Sequence, residues 1–74
     1  MNKIERFLGL KSQARVKYLS GEYQVLSAGD YVLCAVTGKQ IPLADLKYWN
    51  VEHQEAYVTA EASLQAYRAR REGK

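Results

Sequence analysis

The sequence predicts an α+β fold: a small three-stranded antiparallel sheet, a meander, with a knuckle-like turn and one long C-terminal helix. Three observations predict it. Between residues 14 and 36, short β-prone runs alternate with turns containing Gly, Ser and Asp. Residues 34–43, CAVTGKQIPL, place a tight glycine turn ahead of an Ile-Pro-Leu hook. From residue 51 onward the chain is rich in alanine and closes on arginines followed by Gly73, the composition of a helix and its stop.

Residues 1–13 form an N-terminal arm or short helix, with Ile4, Phe7 and Leu8 at helical spacing ahead of Gly9. Residues 14–74 form a single small domain. In ARVKYL, Ala14, Val16 and Tyr18 point one way and Arg15 and Lys17 the other, the alternation of a half-buried strand. A second strand spans Tyr23 to Leu26, after the Ser20-Gly21-Glu22 turn. A third spans Tyr31 to Val36, after Ser27-Ala28-Gly29-Asp30. The third is apolar throughout, as expected of a strand covered on both faces.

Gly38 supplies the positive φ of the next turn, and Pro42 holds Ile41 extended and opens a short helical turn. Leu43, Leu46 and Trp49 then share one side as the lid of the core, with Cys34 and Ile41 beneath. Asn50 is a helix cap by type, Glu52 and Glu55 suit a helix start, and the spacing predicts a helix from Val51 to about Arg71. Its apolar residues make two stripes: Val51, Val58, Ala62 and Ala69, and nearly opposite them Tyr57, Ala60, Leu64 and Tyr67. A small sheet covers one stripe. The second is left for the arm, a second copy of the chain or another protein.

The chain has 74 residues, one cysteine and a net charge of +3. A domain this small buries only about 60% of its unfolded surface. One cysteine excludes an internal disulfide and fits a reducing, cytoplasmic setting. The start, MNKIERFLGL, has Glu5 inside it and no long apolar core, and is expected to be neither a signal peptide nor a membrane span. Basic residues gather at the ends, with Arg15 and Lys17 early and Arg68, Arg70 and Arg71 late. With Tyr18 and Tyr23 they make a candidate nucleic-acid contact. The ordinary alternative is a solvated surface above cross-strand tyrosine pairs.

Cys34-Ala35-Val36-Thr37-Gly38 has the outline of a zinc-knuckle turn with Thr37 in place of the second cysteine. Structural zinc needs four ligands, and the chain offers Cys34 and His53, so no metal or other cofactor is expected. Burial in an apolar strand is expected to raise the Cys34 pKa, and no orienting group stands out for a Cys34–His53 catalytic pair. No phosphate loop, paired-carboxylate site or Ser-His-Asp set is visible, so the chain is not expected to be an enzyme.

Together Cys34, Val36 to Gly38, Ile41 to Leu43, Tyr48, Trp49 and Gln54 to Tyr57 resemble the core of a small bacterial family known only as a domain of unknown function. The resemblance runs from about Ala14 onward. It implies a bacterial, cytoplasmic protein and brings no activity with it. The expected function is a non-catalytic protein-interaction module, in one form a homodimer through the helix, with Val58, Leu64, Tyr67, Arg68 and Arg71 as the contact residues. The alternative is a nucleic-acid- or ribosome-associated protein using the basic termini and sheet tyrosines.

Overall fold

The computed structural model describes residues 12–72. Most of the expected N-terminal arm, and the Gly73 stop, lie outside them. The described residues fold into six short strands and one C-terminal helix, an α+β arrangement. The strands are β1 (Arg15–Leu19), β2 (Glu22–Ser27), β3 (Tyr31–Leu33), β4 (Gln40–Pro42), β5 (Tyr48–Asn50) and β6 (Glu55–Tyr57). A 3-10 turn, Leu43–Asp45, separates β4 from β5, and the helix α1 spans Ala60–Glu72.

The strands do not form one meander. They pair as three two-stranded antiparallel hairpins, β1-β2, β3-β4 and β5-β6. The first hairpin follows the sequence pattern. Gly21, at φ 82°, closes its turn, Ala14 and Tyr18 are buried, and Arg15 and Lys17 are exposed. After β2 the chain does not turn back to extend this ladder. The backbone of Gln13 and Ala14 passes directly over Gly29, where any side chain would overlap it. That crossing sets Tyr31 beside Gln13 in a parallel bridge, in which the Ala14 N–H donates to the Tyr31 carbonyl at 2.7 Å. β3 therefore takes β4 as its partner, with Val32 opposite Ile41. It ends at Leu33, which is exposed, as is Val36 in the turn beyond, so the expected strand covered on both faces is a short strand and a turn.

The predicted helix start is also displaced. Asn50 caps a turn instead of a helix: its Oδ1 accepts the His53 N–H at 2.8 Å. The same side-chain-to-backbone bond that begins a helix here tightens the β5-β6 loop. Trp49 consequently lies on a strand and not on a helical turn with Leu43 and Leu46, although Leu46 is buried and Leu43 and Trp49 pack on the core as the lid expectation required. Pro42 does introduce the expected short turn. Thr59 is the side chain that starts α1, its Oγ1 accepting the Ala62 N–H at 3.0 Å.

Side chains of the third hairpin join it to the first. Gln54 stands at φ 53°, a left-handed conformation costly for a residue with a side chain. From there its Oε1 accepts the Tyr18 N–H at 2.9 Å, while its Nε2 donates to the Tyr18 and Val51 carbonyls, each at 2.8 Å. Trp49 Nε1 donates to the Leu19 carbonyl at 2.8 Å. The Trp49 ring stacks on Tyr18 at 6.0 Å and meets Tyr23 edge-on at 5.8 Å. A second parallel bridge, Cys34 to Ala56, joins β6 to the second hairpin.

The helix packs against β5 and β6 through alanines: Ala62 is 3% exposed and Ala66 9%. The larger apolar residues, Leu64 at 47% and Tyr67 at 57%, face outward. The two expected stripes are only partly matched: Ala62 is inward, but Ala69 is exposed and Val58 precedes the helix, Ala66 from outside both stripes is the second inward residue, and Leu64 and Tyr67 face outward. Val51 and Tyr57 precede the helix altogether.

Three substitutions test this packing. Gln54→Glu keeps an acceptor for the Tyr18 N–H but cannot donate to the two carbonyls, and is expected to cost about 1–3 kcal/mol in chemical denaturation at neutral pH. Ala62→Leu, which adds apolar volume under the helix, is expected to destabilise by about 1–3 kcal/mol. Leu64→Ala, which removes apolar volume from the exposed face, should stay within about 0.5 kcal/mol of the parent.

Candidate interaction surface

Residues 64, 67, 68 and 71 recur at helical spacing, and α1 presents them together. Leu64, Tyr67, Arg68 and Arg71 line one surface depression of about 480 Å³. The Arg71 guanidinium carbon lies 5.7 Å from the Tyr67 ring centroid, and Arg71 Nη1 donates to the Tyr67 hydroxyl at 3.3 Å. Ring and cation thus hold each other in place. Val58 stands apart from this set: it precedes the helix, half-buried against the core.

A second cleft, of about 440 Å³, adjoins the first and shares Tyr67 and Arg71 with it. Its other walls are Arg70 of α1 and Asn50, Glu52 and His53 of the β5-β6 loop. Below it, Arg70 Nη2 meets Glu55 Oε2 at 2.8 Å, and Glu55 Oε1 accepts the Tyr57 hydroxyl at 2.9 Å. Burial pushes the Glu55 carboxyl up. The hydrogen bonds from Arg70 and Tyr57, with the charges of Arg70 and His53, outweigh that and hold it below its ordinary value. Tyr57 is pushed up, chiefly by burial. Glu55 and Gln54, expected on the helix, instead belong to β6 and the loop before it.

The basic patch on β1 is arranged differently. Arg15 and Lys17 are exposed, but Tyr18 is buried and Tyr23 half-buried, both against Trp49. The Tyr23 hydroxyl also donates to the Leu43 carbonyl at 3.4 Å. Beside the two cations Tyr18 is closed to solvent and Tyr23 is only partly exposed.

Cys34 is 3% exposed and sits in a turn with knuckle geometry. Its Sγ accepts the Thr37 N–H at 3.4 Å, its carbonyl accepts the Gly38 N–H at 2.9 Å, and Gly38 has φ 76°. Burial raises the thiol pKa, as expected from the sequence. Hydrogen bonds from the Thr37 side chain and from the backbone of Thr37, Val58 and Val36 nevertheless bring it below its ordinary value, reversing the expected direction. His53 is exposed in the β5-β6 loop, whereas Cys34 is buried in the turn between β3 and β4. Among the described residues no group of three or more His, Cys, Asp or Glu side chains could hold a metal ion. No helix among them is long and apolar enough to cross a membrane.

The Glu55–Arg70 pair gives a pH test. A carboxyl held low in the folded state contributes stability that is complete above its unfolded pKa, about 4.3. That contribution is lost as pH falls through the lower folded value. Glu55→Gln is therefore expected to melt below the parent at neutral pH, with the gap closing as pH falls below about 4. A gap that is constant over this range would separate Glu55 from the acid response.

Comparison with known proteins agrees with the pattern in the sequence. No curated protein and no solved structure matches the chain. One family model does, over residues 25–66, from the end of β2 through the first half of α1 and more than half of the chain. The chain belongs to the bacterial family described as an uncharacterized protein conserved in bacteria (DUF2093).

Proposed function

We propose that the protein is a non-catalytic, cytoplasmic protein-interaction module that docks another protein on the outer face of α1. The observation that supports this is the inverted use of the helix. Its small residues make the core contact, while Leu64 and Tyr67 stand exposed one turn apart, flanked by Arg68 and Arg71. Exposed aromatic and arginine side chains around a depression that also holds a leucine are the composition of binding hot spots. The non-catalytic part rests on Cys34 and His53 belonging to separate turns, one buried and one exposed. The nucleic-acid alternative keeps Arg15 and Lys17, but Tyr18 is buried and Tyr23 only partly exposed beside them.

Photo-crosslinking in the native cell tests this. A crosslinking amino acid at position 64 or 68 is expected to capture one defined protein, unchanged by nuclease. The same group at position 17, on β1, should not capture it. Absence of adducts from positions 64 and 68, or adducts that vanish on nuclease treatment, would count against a protein-docking face.

A further inference from the structure

We propose that the segment docked on α1 is short and acidic, with an apolar side chain set between its carboxylates, an inference that rests on α1 being the docking face. The charge of the surface supports it first. The two adjoining clefts are walled by Arg68, Arg70 and Arg71 against Glu52, and Glu55 below them offsets the charge of Arg70. Glu55 engages Arg70 through Nη2, and Tyr67 holds Arg71 beneath its ring and hydroxyl. An arginine already held in place loses less freedom when its planar fork takes a carboxylate. The apolar floor is continuous with these cations, because Tyr67 and Arg71 line both clefts.

Size favours a short segment over a second copy. A 13-residue helix is about 20 Å long. One face of it falls well short of the roughly 800 Å² per partner that a stable protein pair buries. A second copy would also bring its own Arg68, Arg70 and Arg71, with Glu61 as the one acidic residue of the helix's first turn to meet them. A nucleic acid is favoured less, since this face offers three arginines where tight binding uses about 6–10 phosphate contacts.

The test is a two-dimensional NMR titration of the folded chain with defined probes. One is an eight-residue peptide with Phe and Leu set among six Glu. The others are the same peptide with Lys for Glu, the Glu peptide with Ser for Phe and Leu, and an oligothymidylate. The Glu–Phe–Leu peptide is expected to shift the signals of residues 64–71 and 50–53 and to bind at least tenfold more tightly than the other three probes. Arg68→Glu with Arg71→Glu should reverse the order of the Glu and Lys peptides. Leu64→Ala should weaken the Glu–Phe–Leu peptide about tenfold, while Lys17→Ala leaves it unchanged. Probe substitution on the parent protein keeps the test independent of variant folding. Equal binding of the Lys peptide, tighter binding of the oligonucleotide, shifts confined to β1, or signals of residues 64–71 that move with protein concentration alone would each overturn the proposal. A protein crosslinked at position 64 through a segment without acidic residues would overturn it too, yet leave α1 as a docking face. Loss of all crosslinks removes both.

Discussion

The backbone N–H and C=O of Tyr18 point away from β2, and Gln54 is the group that receives both. An amide side chain has one donor end and one acceptor end, the same pairing that a neighbouring strand would present. Gln54 therefore stands in for a strand at the place where the first and third hairpins meet. Two-stranded hairpins are marginal alone, and this domain is built from three of them. Its cohesion comes from the links between hairpins: the Gln54 amide, the Trp49 indole on Leu19, and the bridges at Tyr31 and Ala56. The left-handed backbone at Gln54 is what aims the amide at β1, so a local conformational cost is offset by two hydrogen bonds across the fold and one within the loop.

With the hairpins so joined, the third one becomes the platform for α1. Ala62 and Ala66 let the helix lie close to β5 and β6, leaving no space there for Leu64 or Tyr67. The Glu55–Arg70 bridge fixes the last turn over β6. Close packing on one side thus forces the large side chains to the other. The exposed patch is a product of how the helix is seated, and its position relative to the β5-β6 loop follows from the same contact.

What could be read in the sequence divides along physical lines. β1 was legible because its five residues alternate long enough to show a period, and Gly21 and Gly38 because positive φ is their ordinary use. The group Leu64, Tyr67, Arg68 and Arg71 was legible because helical spacing alone brings it together. The three-residue strands β5 and β6 are too short to show alternation, and Asn50, Glu52 and Glu55 mimic the opening of a helix. The meander failed at Gly29, whose role is a backbone crossing and not a hairpin turn. Glu55 and Arg70 lie on different elements, and Gln54 acts on backbone groups 36 residues away, so neither pairing leaves a mark in local pattern.

The irregularity between Arg15 and Val16 bears on solubility. β1 registers Arg15 with Ser27 but Val16 with Val25, so Leu26 is an extra residue in β2. Among the described residues β2 is paired on one side only, and Val25 and Leu26 are exposed along it. A straight strand with that composition would be a template on which another chain could extend the sheet. The bulge bends the strand where its apolar residues fall and breaks the spacing an incoming strand would need. One surplus leucine, placed where it interrupts the ladder, is the kind of irregularity that makes a strand edge a poor template for further pairing.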